Sequence, residues 1–217
     1  MIEFLARSET YIPILMEGVW LTLVVTFFSL ILSTILGLFW ALLSRSKNPV
    51  LRGISSTFIT VIRGIPIIVQ LFYIYFVLPE IGLDLTALQA GIVGIGVAYS
   101  AYQAENFRAG IEAVDKGQIE AAQSIGMNDA LVMRRVILPQ AFKISLPPFG
   151  NTMIMMLKDS SLVSTITVAE LTRQGQLIAA STFDNMTVFT LVALIYLAMA
   201  LPLTFFARWL ERRYRKA

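Results

Sequence analysis

The sequence predicts an all-α integral membrane protein with five transmembrane helices. Three observations carry that reading: 57% of the 217 residues are hydrophobic, only 14% are charged, and the mean hydropathy is +0.74. Soluble domains carry about 25% charged residues, so this chain lacks the polar groups needed to cover a globule. Its apolar residues also gather in runs close to the ~20 residues that a helix needs to cross hydrocarbon. A formal charge of +3 is too small to point to nucleic acid. The absence of cysteine and histidine excludes disulfides, thiol catalysis and most zinc or haem sites.

In chain order the expected spans are residues 18–43, 64–80, 87–104 with an extension to 112, 144–168 and 187–207, all within one domain of residues 1–217. Glu3, Arg7, Glu9 and Glu17 interrupt the first stretch, which argues against a cleavable signal. Ahead of the second span, Leu51, Ile54, Phe58, Val61 and Ile62 recur at helical spacing with Arg52, Ser55, Ser56 and Arg63 between them. That pattern describes an amphipathic helix approaching the membrane. The crossing itself starts near Gly64-Ile65-Pro66, because proline suits the first turn of a helix. Gly91, Gly94, Gly96, Ala98 and Ala101 form a small-residue stripe suited to close helix contact.

Basic residues set the orientation. Arg45, Lys47, Arg52, Lys116, Arg134, Arg135, Lys143, Arg208, Arg212, Arg213, Arg215 and Lys216 fall on one side, twelve of the seventeen, and only Arg7 and Arg173 on the other. The N-terminus is therefore expected outside, and the C-terminus and residues 115–142 in the cytoplasm.

That cytoplasmic stretch divides into two short helical pieces. The first covers 116–125; Gly126 follows at a place that suits left-handed geometry; Asn128 or Asp129 caps the second piece, and Pro139 is expected to stop it. Ile119, Ala122, Ile125, Leu131, Ile137 and Leu138 give an apolar surface flanked by Arg134 and Arg135. Periodicity alone fits a helix pair lying on lipid headgroups as well as a docking element.

The residues themselves add more. Glu120-Ala121-Ala122, then Gly126, then Ile137-Leu138-Pro139 resemble the EAA loop of ABC importer permeases. "RGIPIIVQLFYIYF" (63–76), "AYQAENFRAGI" (101–111), "LPQAF" (138–142) and "LKDSSLVSTI" (157–166) extend the resemblance over nearly the whole chain, to the polar amino-acid uptake permeases. The resemblance implies the five-span type I importer fold and a bacterial cytoplasmic-membrane location. It also implies that residues 115–142 are a coupling loop docking into a cytoplasmic ATPase dimer, with Glu120, Ala121, Ala122, Gly126, Arg134 and Arg135 at the joint. The implied partners are that ATPase, a second permease as homodimer or heterodimer, a periplasmic or extracellular solute-binding protein, membrane lipid and a polar amino-acid substrate. ATP and Mg would be bound by the ATPase; no cofactor is expected in this chain, which has no P-loop motif.

Ionisable residues inside a span are costly and mark function. Lys158 and Asp159 are expected near the middle of the fourth span, with side chains about 100° apart, so each faces something different. Asp159 and Ser160 either face a cavity and bind a substrate ammonium, with Met155 one turn away on the same face, or form part of an interhelical salt bridge that includes Lys158. Glu105 and Arg108 share a helix face and are expected to pair with each other. Gln70 and Tyr102 are mid-span polar groups that fit either a binding-cavity wall or interhelical hydrogen bonding. No catalytic constellation and no metal site is expected. A permease for another small solute is the nearest alternative. A passive channel has no need of an EAA loop, and a membrane scaffold has no need of mid-span charges.

The topology is testable because the native chain has no cysteine. A Lys116→Cys variant in intact cells is expected to resist an impermeant thiol reagent and to react only after permeabilisation. Labelling from outside contradicts the orientation.

Overall fold

A computed structural model of the chain describes the backbone of residues 2–214 and the side chains of residues 7–214. Arg215 and Lys216, part of the expected basic cluster, lie outside the described residues, as do Ala217 and the side chain of Glu3. The described chain is helical in every regular element. Helix α1 spans Ile2–Ser44, α2 Pro49–Gly64, α3 Ile67–Phe72, α4 Ala87–Glu112, α5 Lys116–Ser124, α6 Asp129–Val132, α7 Leu138–Asp159, α8 Leu171–Thr182 and α9 Asn185–Tyr214.

Two of these are long and apolar enough to cross a membrane by length and composition, the Arg7–Ser44 part of α1 and α9. The pair formed by α2 and the segment Ile67–Ile81, bent by 102°, counts as a third if taken as one broken span. The other two expected spans, built on α4 and α7, are too polar to qualify alone. Their surroundings explain this: α4 packs against α1, α2, α3 and α7, so protein rather than lipid covers much of its surface.

Helix α1 is sorted inside out relative to a soluble helix. Thr22, Thr26, Ser29 and Ser33 recur every three or four residues and are buried, while Trp20, Phe27, Ile31, Ile35 and Leu38 on the other faces are exposed. Small hydroxyl residues let backbones approach in lipid, where the outside is as apolar as the core. The hydroxyls find partners: Ser29 Oγ donates to the Ile92 carbonyl of α4 at 3.1 Å and Thr26 Oγ1 to Thr22 O at 2.7 Å. The predicted glycine stripe does make close contacts. A Cβ on Gly96 would stand 2.7 Å from Leu32 of α1, and one on Gly94 would stand 2.6 Å from Leu71 of α3.

Three elements differ from expectation. The first helix begins well before residue 18 and runs through Pro13 without a break. The helix that carries the expected fourth span is offset from residues 144–168: α7 starts at Leu138 and stops at Asp159, and Ser160–Ile166 turns as a 3-10 helix ending at Thr167 in left-handed geometry, φ +71°. Lys158 and Asp159 therefore sit at a helix end and not mid-helix. Pro139 does not stop the second helical piece of the 115–142 loop. A π turn, Met133–Ile137, joins α6 directly to α7, and Leu138 N–H bonds to the Met133 carbonyl five residues back. The missing N–H of Pro139 falls where the hydrogen-bond register is already changing, so the helix continues.

Two polar side chains hold the breaks. Gln70, buried, donates from Nε2 to Ile62 O at 2.9 Å and Ile65 O at 2.8 Å, closing the end of α2 across the bend. Glu170, fully buried, accepts from Arg173 N–H at 2.9 Å and so caps α8; it also accepts from Tyr196 of α9 at 2.7 Å and Thr22 of α1 at 3.3 Å. At the same end of the molecule Arg7 pairs with Asp184 at 3.0 Å, and its guanidinium holds the Asp184 carboxyl below its ordinary value.

Gln70→Leu keeps the bulk but leaves two carbonyls at the bend without donors. Each unsatisfied group costs about 1–3 kcal/mol, so the detergent-solubilised variant is expected to unfold at a clearly lower temperature. An unchanged unfolding temperature contradicts the stapling role.

Candidate functional site

Two regions gather the residues singled out in the sequence. The first surrounds Asp159. As the last residue of α7 it is half-buried, and its Oδ2 accepts a 2.7 Å hydrogen bond from the Tyr99 hydroxyl of α4. Tyr99 is almost wholly buried, and its ring lies 5.7 Å from that of Tyr102. Tyr102 in turn carries the Arg63 guanidinium over its face at 5.3 Å from the ring centre. A continuous line of side chains thus runs from Asp159 to the end of α2.

The neighbours of Asp159 are less uniform than the sequence suggested. Lys158 is exposed and forms no ion pair among the described residues, so the expected salt bridge involving it is absent. The partner of Asp159 is a tyrosine hydroxyl. Ser160 is fully buried, and its hydroxyl donates to Leu157 O at 2.7 Å, which repairs the helix end. Met155 is about half exposed, one turn before Asp159. Gln70 lies at the α2 bend with both amide hydrogens committed to backbone carbonyls. Glu105 and Arg108 do pair, at 2.6 Å, and Arg108 also holds Glu112 at 2.8 Å.

The second region is the loop of residues 115–142. Asp115 caps α5 by accepting from Gln118 N–H, and Gly126 follows the helix at φ +86°, the left-handed geometry expected of it. Asn128 caps α6 by accepting from Leu131 N–H at 2.9 Å. Ala122, Val132 and Ile137 pack with Ile111 and Val114 at the end of α4 and Ala141 of α7. The loop is therefore fixed to the body by its own core, and Ala122 belongs to that core. Glu120, Ala121, Ile125, Arg134 and Arg135 face outward, with Ile125 at 76% exposure. A helix pair anchored on one side and carrying acid, base and an exposed isoleucine on the other has the form of a docking element.

Sequence reasoning missed Tyr99 and Glu170. Tyr99 is 60 positions from Asp159, and no helical spacing links them. The only local signal of Glu170 is the run Glu170-Leu171-Thr172-Arg173, an acid three residues ahead of the N–H it caps.

The comparisons with known proteins agree with this geometry. Residues 33–216 match the family described as "Binding-protein-dependent transport system inner membrane component". The chain is 40% identical to the probable amino-acid ABC transporter permease protein YckA of Bacillus subtilis (strain 168) over 202 residues, 93% of this chain and 89% of that protein. It is 39% identical to the L-cystine transport system permease protein TcyB of the same organism over 207 residues, 95% of this chain and 88% of that protein. Among solved structures, the crystal structure of an amino acid ABC transporter with histidines superposes with a TM-score of 0.92 at 42% identity, over 97% of this chain and 98% of the other. The chain belongs to this family. It is the non-catalytic inner-membrane component of a binding-protein-dependent transport system, with an all-helical membrane permease fold.

Proposed function

We propose that this chain is one half of the membrane pathway of an ATP-driven importer of polar amino acids, working by alternating access with a solute-binding protein outside and an ATPase dimer inside. The observation that carries the reading is the continuous helical rod that joins α6, the second helix of an outward-facing helix pair, to the half-buried carboxylate of Asp159. The chain is a permease of an amino-acid ABC importer, as its relatives support. Residues 1–217 form one transmembrane domain with five spans, α4 and α7 being the two least apolar of them. The N-terminus lies outside and the C-terminus in the cytoplasm.

The mechanical connection follows from the π turn. From Asp129 to Asp159 the chain is helical without interruption, about 45 Å at 1.5 Å per residue. Glu120, Ala121, Arg134 and Arg135 meet the ATPase, Gly126 shapes the bend between α5 and α6, and displacement of the loop is transmitted along α7 to Asp159. At that end the carboxylate binds a substrate ammonium, with Tyr99 as its partner when the site is empty and Met155 beside it. Gln70, through its amide hydrogens, and Ser160, through its hydroxyl, bond to backbone carbonyls and keep the helix ends in place around the site. The stretch 63–76 with Tyr102 forms the adjoining wall.

Losing a charge-assisted hydrogen bond costs about 1.5–3 kcal/mol, or roughly ten- to hundredfold in affinity. Asp159→Asn is therefore expected to assemble normally with the ATPase while amino-acid uptake into proteoliposomes falls by that order. Uptake at the wild-type level contradicts the binding role. Gly126→Val is expected to insert normally but to lose coupling, because a β-branched residue resists positive φ; no atom lies within 4 Å of an added Cβ, so the effect is backbone strain alone. Gly126→Asn, which tolerates left-handed geometry, should retain most of the uptake that Gly126→Val loses. Equal uptake in both variants contradicts the assignment.

A further inference from the structure

Topology accounts for fourteen of the seventeen basic residues and leaves Arg63, Arg108 and Lys158. Two of these three meet in one place. A polar groove of about 640 Å³ lies between the end of α1, α2 and α4. On α2 it is lined by Arg52, Ser56, Thr60 and Arg63, one helical face some 16 Å long. On α4 it is lined by Tyr102, Glu105 and Arg108, again one face at steps of three residues. The opposite face of α2 shows Leu51, Ile54 and Val61 to the outside. So α2 is amphipathic as expected, but its polar side looks into a groove of the protein itself.

The charges in the groove are unequal. Arg108 is neutralised by Glu105 and Glu112. Arg52 and Arg63 form no ion pair among the described residues, so the groove carries uncompensated positive charge on its α2 side. Arg63 has the weaker contact of a cation over an aromatic face, with Tyr102. A carboxylate forms a stronger, bidentate contact with guanidinium and can displace a ring. Ser56 and Thr60 add hydroxyl donors along the same wall. At its upper end the groove meets Tyr102, whose ring contacts Tyr99, the residue that donates to Asp159. This continuity with the carboxylate site favours a solute over a lipid headgroup as the occupant.

We propose that the groove is a second station for the transported amino acid, and that Arg63 is the residue that binds its α-carboxylate there. The inference rests on the amino-acid import reading and deepens it. Two aromatic rings stand between Asp159 and Arg63, so the ammonium and the carboxylate of one amino acid are held in succession. Asp159 takes the ammonium, and Arg63 takes the carboxylate as the solute moves along α2 toward Arg52. An α-carboxylate is thereby required of the solute, whatever its side chain.

The test uses the purified permease–ATPase complex without the binding protein, so that selection by that protein plays no part. The twenty proteinogenic L-amino acids and L-cystine are screened for binding, and the α-amide of the tightest binder then competes against it. The wild type is expected to favour the free acid at least tenfold. Arg63→Gln should bring that preference close to one while leaving the affinity for the amide unchanged, and Arg63→Lys should retain most of the preference. Assembled complex is quantified for each variant. A wild type that does not distinguish acid from amide, or an Arg63→Gln variant that keeps the full preference, overturns the proposal. Equal gain in binding of acid and of anionic-lipid micelles by wild type over Arg63→Gln assigns the groove to phosphate headgroups and also overturns it. If no amino acid binds the wild-type complex, the assignment of Asp159 as a binding site falls and takes this inference with it.

Discussion

A helix that breaks inside an apolar environment leaves backbone N–H and C=O groups without partners, and each costs several kcal/mol when buried dry. This fold depends on how its breaks are repaired. At the α2–α3 bend Gln70 supplies two amide hydrogens to the stranded carbonyls. After α7, Ser160, Ser164 and Thr165 return their hydroxyls to carbonyls three residues back through the 3-10 turn. At the start of α8, Glu170 accepts a backbone N–H and binds Thr22 and Tyr196 at the same time. Each repair is made by a side chain reaching over a short distance, so each break has a fixed geometry.

The breaks also place the functional groups. Because α7 ends at Asp159, that carboxylate sits where the chain turns away and faces α4, within reach of Tyr99. Because α2 ends at the 102° bend, Arg63 in its last turn is carried over Tyr102. Where no break is wanted, the chain avoids one: the π turn absorbs Pro139, so α6 and α7 act as one body. The continuous rod from the 115–142 loop and the fixed turn at its far end are thus set by the same kind of backbone chemistry. In an importer whose motor is a separate subunit, that division is what the membrane component has to provide.

Much of this was legible in the sequence. The Gly126 bend, the Asn128 cap, the amphipathic α2 and the Glu105–Arg108 pair follow from local chemistry at short spacing, and local chemistry decides them. Features that depend on two distant segments were not legible. Nothing in the neighbourhood of Asp159 announces Tyr99, and nothing near Gln70 indicates that its amide turns back to residues 62 and 65. Proline at 139 misled because a sequence rule prices it against an α-helix, while the structure offers a π register in which its missing donor matters less. Hydropathy overstated the uniformity of the spans for a related reason. In a bundle, helices such as α4 are covered by protein, so their composition is free to be polar.

In the proposed function Asp159 receives the ammonium of a transported amino acid, exchanging its bond from Tyr99 for one from the solute. The most direct measurement is a cryo-electron microscopy structure of the permease–ATPase complex with saturating amino acid. Ligand density is expected with its amino group about 2.7–2.9 Å from the Asp159 carboxylate, as a charge-assisted bond requires, and with the Tyr99 hydroxyl displaced from Oδ2. Ligand density elsewhere in the pathway, with Tyr99 still bonded to Asp159, would contradict it.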